Sequence, residues 1–112
     1  YANAVKIDAL GVDPDLIEGY GAVSREVACA MATNVRTRLG ADFGVSTTGI
    51  AGPGGGTEDK PVGTVWLALA HAGGVEARLL RLGGGRANVR RWSVAMALDA
   101  LRRGPGVFER GS

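Results

Sequence analysis

A glycine-rich segment is the part of the sequence best suited to chemistry. Residues 47–65 read TTGIAGPGGGTEDKPVGTV, and the glycine-rich segment within them is residues 51–57 (AGPGGGT), with four glycines and one proline from Gly52 to Gly56. Glycine enters positive φ freely, so backbone N–H groups such as those of Gly52 and Gly55 can converge on one anion. The segment is neither a Walker loop nor a GxGxxG that opens a helix, because a strand is predicted to follow it. An anion site and a connection without any ligand both remain open.

Thr48 and Gly49 directly precede this segment, at the carboxyl end of a predicted strand. The threonine hydroxyl and the adjacent N–H groups could hold an amide, or the oxyanion that develops when an amide is attacked. The competing interpretation is that Thr47 and Thr48 satisfy backbone groups of the loop.

Three further side chains carry groups that could bind a ligand or react. Arg86 precedes the last predicted helix and could make a forked contact to a phosphate, although a structural salt bridge would also explain it. His71 lies in a predicted turn without a cysteine or carboxylate at ligand spacing, so no metal is predicted. Cys29, the only cysteine, follows a helical pattern of small apolar residues and is predicted to pack in the core.

Helices and strands must position these residues. Asp13 followed by Pro14 predicts a short helix that runs to Tyr20. Ser24 is a good N-cap, and apolar residues recur every fourth position until Gly40, which predicts an amphipathic helix. The fourfold repeat consists of Val27, Met31, Val35 and Leu39.

Three strands and a last helix are predicted in the second half. The sequence from Asp42 to Ile50 reads as a strand, and residues 62–70 and 75–82 read as a hairpin whose first strand is covered on both faces. Residues 88–103 predict a helix that stops at Gly104 and Pro105. Its predicted apolar face consists of Val94, Ala95, Leu98 and Leu101.

The order helix, helix, strand, strand, strand, helix predicts an α/β fold. A sheet with so apolar a central strand needs a layer on each face, so we expect a three-layer α/β/α sandwich over residues 1–104, followed by a flexible tail at 105–112. Three strands make a thin core, and we therefore expect a first strand–helix unit upstream of Tyr1.

Several short elements together resemble a known family. YANAVK at the start, GAVS at 21–24, TTGIAGPGGGT, KPVGTV and GGGRANVR occur in the order typical of the CinA C-terminal domain. The same domain occurs alone as nicotinamide mononucleotide deamidase. Two positions depart from the family pattern, with Gly85 where an aspartate is usual and Tyr20 where a histidine is common.

The resemblance implies an amidohydrolase of pyridine nucleotide salvage, which converts nicotinamide mononucleotide and water to nicotinic acid mononucleotide and ammonia. It implies a catalytic Tyr1 and Lys6 with a nucleophilic serine shortly upstream, contacts from Thr48 and Arg86, no cofactor and a homodimer. Lysine can serve as the base where burial or nearby cations lower its pKa, and tyrosine can donate a proton to the leaving amine. The alternative is a non-catalytic CinA-like module that binds a nucleotide or a protein.

Composition narrows the classes of partner and compartment. The 112 residues are 46% hydrophobic and 21% charged, which is typical of one globular domain. A net charge of +2 from 13 basic and 11 acidic residues gives little support for a nucleic-acid partner. A single cysteine and the lack of a signal peptide or a membrane-length apolar run predict the cytoplasm and no membrane partner.

Overall fold

The computed structural model describes residues 11–50, 56, 60–83 and 85–108. These ranges contain three helices and three strands in the predicted order. The helices are α1 (Pro14–Tyr20), α2 (Arg25–Leu39) and α3 (Gly85–Arg103), and the strands are β1 (Gly44–Gly49), β2 (Thr64–His71) and β3 (Gly74–Arg81). Within these ranges, no helix combines the length and the apolar composition that crossing a bilayer requires.

The helix ends form where the capping residues predict them. The Asp13 carboxylate accepts a hydrogen bond from Asp15 N at 2.9 Å and starts α1. The Ser24 hydroxyl accepts from Val27 N at 3.2 Å and starts α2. Gly40 ends α2 in the left-handed region at φ 60°, where glycine carries no steric penalty.

The three strands form one antiparallel sheet in the order β1-β2-β3, and β2 and β3 make the predicted hairpin. Gly49 pairs with Val65, which pairs in turn with Leu80. The carboxyl end of β1, the start of β2 and the carboxyl end of β3 therefore lie at the same end of the sheet. We call this the Gly49 end.

Alternating residues of β2 face two different layers, which confirms the three-layer arrangement. Val65, Leu67 and Leu69 pack in a core cluster with Val89 and Ala100 of α3. Ala68 and Ala70 pack on the opposite face against Ala28 and Ala32 of α2. Small residues on both sides bring α2 close to the sheet, so that Ser46 Oγ donates to Ala28 O at 2.6 Å.

The apolar face of α3 is only partly where the sequence placed it. Val94 and Leu98 are 59% and 61% exposed, Ala95 is also exposed, and Leu101 packs against the core as predicted. The buried residues of α3 are Val89, Ser93 and Ala100. Apolar residues lie on more than one side of this helix, and the side with Val89, Met96 and Ala100 packs against the sheet.

Residues 106–108, at the start of the tail that the sequence predicts to be flexible, contact the rest of the domain. Val107 is 2% exposed and belongs to the core cluster of β2 and α3. The Glu76 carboxylate accepts hydrogen bonds from Gly106 N at 2.9 Å and Phe108 N at 3.3 Å. Residues 109–112 lie outside the described ranges.

Candidate functional site

The Gly49 end of the sheet meets the segment that joins α1 to α2. Two β1 side chains bond to this part of the chain. Ser46 contacts Ala28 inside α2, and Thr48 Oγ1 donates to Ala22 O, before α2 starts, at 2.8 Å. The first turn of α2 therefore lies beside the point where the glycine-rich segment begins. Helix N-termini and glycine-rich turns both present backbone N–H groups, which suit an anionic or oxyanionic ligand.

Three successive carbonyl groups, at the end of α1 and the start of the joining segment, accept side-chain hydrogen bonds. Lys60 Nζ donates to Tyr20 O at 2.9 Å, Ser24 Oγ donates to Gly21 O at 2.8 Å, and Thr48 Oγ1 donates to Ala22 O. Two of the donors come from the chain before and after the glycine-rich segment. The chain on each side of the glycine-rich segment is therefore bonded to the region where α1 ends and the joining segment begins.

The two ends of the connection between β1 and β2 are also fixed to each other. Ile50 N donates to Thr64 O at 2.9 Å, and Gly63 N donates to Ile50 O at 2.7 Å. Pro61 O accepts from both Thr64 N at 3.0 Å and Thr64 Oγ1 at 2.6 Å. The connection therefore leaves the sheet from a narrow, hydrogen-bonded neck.

Gly49 and Thr48 both have structural roles at the end of β1. A Cβ on Gly49 would lie 2.6 Å from Val65 Cγ2 and 2.9 Å from Thr64 O, so only glycine fits against β2. Thr48 is 5% exposed, and its hydroxyl proton is directed at Ala22 O. This bond corresponds to the competing interpretation of Thr48, in which the hydroxyl satisfies a backbone group. A hydroxyl proton donated to Ala22 O is not available for donation to an oxyanion.

Arg86 lies at the Gly49 end of the sheet but in the other layer. β3 ends at Arg81, and Leu82 N donates to Gly63 O at 2.8 Å, so the chain enters α3 beside the neck. α3 covers one face of β2 and α2 covers the opposite face. Thr48 points toward the α2 side, where it donates to Ala22 O. Arg86 is exposed in the first turn of α3 and makes no ion pair with any residue in the described ranges, where the salt-bridge alternative finds no partner.

Gly85, where α3 begins, has φ +83°, a conformation that glycine adopts without steric penalty. The other sequence-predicted site residues, Tyr1, Lys6, Gly52 and Gly55, lie outside the described ranges.

Lys60 is a residue of the Gly49 end that the sequence does not predict as part of the site. It is partly buried and bonded to the end of α1. Its membership of the KPVG element was the only signal, because the residue that it contacts is 40 positions away in the chain.

Two other titratable groups lie away from the Gly49 end. Cys29 is half-buried against the cluster of α2 and β2; burial raises the pKa of its thiol, and Arg25 lowers it less than burial raises it. His71 Nδ1 accepts from Gly73 N at 3.1 Å, so its proton lies on Nε2, which donates to Glu76 at 3.1 Å. In the ranges that the structure describes, His, Cys, Asp and Glu form no group of three.

Comparison with known proteins gives matches both in sequence and in structure. The model of a family described as the CinA C-terminal domain matches residues 1–104. CinA-like proteins of Synechocystis and Mycolicibacterium vanbaalenii are each 54% identical, over 106 and 104 residues, and each match covers 92% of this chain. Those matches cover 26% and 25% of the relatives, so the chain spans about a quarter of the length of these curated relatives.

Solved structures share the fold. A competence/damage inducible protein of Agrobacterium tumefaciens matches with a TM-score of 0.88 and 44% identity, over 92% of this chain and 64% of that chain. A competence-damaged protein (CinA) superfamily protein of Escherichia coli matches with a TM-score of 0.85 and 34% identity, over 91% of this chain and 59% of that chain.

Proposed function

We propose, because the chain belongs to the CinA C-terminal domain family, that it is part of an amidohydrolase acting on nicotinamide mononucleotide. The products are nicotinic acid mononucleotide and ammonia. The observation that carries the proposal is the neck at the Gly49 end, where both ends of a glycine-rich segment are bonded to each other and to the segment before α2. A segment fixed in this way can hold N–H groups ready for a polar ligand at a low entropic cost.

The proposed chemistry needs a nucleophile, a base and an acid around one amide. A serine, the nucleophile that the family resemblance implies, attacks the carboxamide carbon, and Lys6 takes the hydroxyl proton. The Tyr1 hydroxyl donates a proton to the leaving amine and takes one back from Lys6, and ammonia departs as the acyl-enzyme forms. Water then attacks the acyl carbon while Lys6 takes a proton from the water and passes it to the serine oxygen, and the acid product leaves as the serine is restored.

Substrate binding is assigned to the two sides of the Gly49 end. The backbone N–H groups of Gly49, Gly52 and Gly55 are proposed to face the amide oxygen as it gains charge. Thr48 contributes by holding Ala22, and Arg86 contributes a forked contact to the phosphate from the neighbouring layer.

Ammonia release from nicotinamide mononucleotide by the full-length protein is the direct test. Lys6→Met should remove most of the release while leaving substrate binding largely intact, because a base acts on the transition state more than on the bound ground state. Binding of nicotinamide mononucleotide to the variant, measured by calorimetry, is the control. Unchanged turnover in Lys6→Met would remove the assignment of the base.

The second candidate function is a non-catalytic CinA-like module that acts through association. The exposed apolar residues of α3, with Val94 and Leu98 more than half accessible, favour it. A full-length protein that binds nicotinamide mononucleotide or a protein partner but releases no ammonia would favour the module over the enzyme.

A further inference from the structure

The contacts of Lys60 help to fix the glycine-rich segment, but no step of the proposed chemistry uses its ammonium group. Its ammonium group donates to the carbonyl oxygen of Tyr20, which is the last residue of α1. The last turn of α1 contains no basic residue of its own. Carbonyl groups at a helix end lack partners within the helix, and a cation there is favourable. Lys60 thus supplies to α1, from 40 residues away, the partner that its own sequence lacks.

Gly21 provides the space that this contact requires. A Cβ on Gly21 would lie 2.8 Å from Lys60 Nζ, so a side chain at this position would displace the ammonium group. Gly21 also has φ +85°, which turns the chain between α1 and α2 and is rarely adopted by other residues. The glycine of GAVS and the lysine of KPVG, far apart in sequence, therefore serve one contact.

The contact couples the exit of the glycine-rich segment to its entrance. Thr48, before the segment, bonds to Ala22 O, and Lys60, after it, bonds to Tyr20 O, two residues earlier. The neck between Ile50 and Gly63 closes the same loop from the sheet side. Without Lys60, the exit would keep the neck but lose its attachment to α1.

We propose that Lys60 is a positioning residue, which holds the exit of the glycine-rich segment against the end of α1 before the ligand binds. The kinetic part of this proposal rests on the proposed function, and the structural part does not. Fixing this exit in advance lowers the entropy lost on binding, so Lys60 is expected to act on KM more than on kcat.

The test compares Lys60→Met with Lys60→Arg and with Arg91→Met in the full-length protein. Lys60→Met removes the donor, Lys60→Arg keeps a charged donor, and Arg91→Met removes an exposed charge from α3. For nicotinamide mononucleotide, Lys60→Met is expected to raise KM about tenfold with kcat changed less than about twofold, the size expected for one charge-assisted hydrogen bond. Lys60→Arg should recover most of the loss, and Arg91→Met should match the wild type.

Hydrogen exchange of peptides covering residues 15–24 separates this proposal from the proposed function. Exchange should be faster in Lys60→Met than in the wild type or Arg91→Met, with the same thermal midpoint in all three. If the wild type releases no ammonia, the proposed function fails, and the exchange rates alone decide on Lys60. Exchange equal to the wild type, or a fall in kcat with KM unchanged, would overturn the positioning role.

Discussion

At the scale of single residues, the structure separates side chains that hold the backbone from those that can reach a ligand. Lys60 donates to the carbonyl group of the last residue of α1, and Thr48 donates to a carbonyl group of the segment between α1 and α2. Arg86, by contrast, is exposed and has no ion pair among the described residues. An arginine in the first turn of a helix is unfavourable to the helix dipole, so helix stability does not account for its position. The phosphate contact proposed for Arg86 can be tested directly.

Arg86→Ala should weaken binding of nicotinamide mononucleotide by about tenfold and leave nicotinamide riboside nearly unchanged. The expected loss lies at the low end for a charge-assisted hydrogen bond, because an exposed arginine is screened by solvent. Titration calorimetry with both ligands measures it, and rising salt should narrow the wild-type preference for the phosphorylated ligand. Arg90→Ala, one turn further along α3, is the control, and equal losses for both ligands would exclude a phosphate contact.

Glu76 is a second residue whose role can be tested directly. Burial alone would raise the pKa of its carboxyl group, but hydrogen bonds from Gly106 N, Phe108 N and His71 together hold that pKa below the ordinary value of 4.5. Because the folded-state pKa is the lower one, the stabilisation is present above the unfolded-state value. It is lost as the pH falls through the folded-state pKa.

Glu76→Gln should reduce the free energy of unfolding by about 1.5 to 3 kcal/mol at neutral pH, since the hydrogen bonds to a charged acceptor are weakened. Urea unfolding across the acidic range measures the effect, and the difference from the wild type should shrink toward low pH. Glu18→Gln, on the exposed side of α1, is the control. A difference that grows toward low pH would contradict the assignment.

At the scale of elements, close backbone contacts fix how strands and helices join. Gly63, with φ +94°, lies where β2 begins, and its carbonyl oxygen accepts from Leu82 N as the chain leaves β3. A Cβ at Gly63 would overlap the Leu82 carbonyl oxygen. The neck of the glycine-rich segment and the route into α3 therefore depend on one glycine.

Gly63→Ala should lower the free energy of unfolding by about 3 kcal/mol or more, because both the backbone conformation and the space are unsuitable for a side chain. Gly83→Ala is a matched control two residues past β3, since nothing lies within 4 Å of a Cβ there. The control should change stability by less than about 0.5 kcal/mol. Equal midpoints in urea for the two variants would show that the chain avoids the overlap by moving.

At the scale of the whole molecule, the sheet has α2 on one face and α3 on the other, and the last described residues complete the second layer. Leu69 is fully buried, whereas Leu98 is 61% exposed on α3. Periodicity along α3 assigned Leu98 to the core, so the two leucines provide a test of which side of the helix is packed.

Leu69→Ala should cost about 2 to 5 kcal/mol, as large-to-small changes in a packed core do. Leu98→Ala should change stability by less than about 0.5 kcal/mol, because its side chain already contacts water. Urea unfolding of both variants measures the contrast. A loss above about 2 kcal/mol for Leu98→Ala would mean that another part of the full-length protein covers this side of α3.

The order of elements and their ends could be predicted from the sequence by itself. Asp13, Ser24 and Gly40 act through neighbours a few residues away, so their capping roles are visible in the local sequence. The hairpin and the two covered faces of β2 follow from a short turn and a continuous apolar run. The same local motifs carried the resemblance to the family, which the match over residues 1–104 confirms.

Only the tertiary structure decided the contacts between distant parts of the chain. The bond from Lys60 to Tyr20 and the bond from Thr48 to Ala22 span 40 and 26 residues, and no periodicity predicts such pairs. The packed side of α3 and the burial of Val107 also depend on the shape of the sheet surface. Local sequence fixes where elements start and stop, whereas side-chain volume and hydrogen-bond partners in three dimensions decide which faces and loops meet.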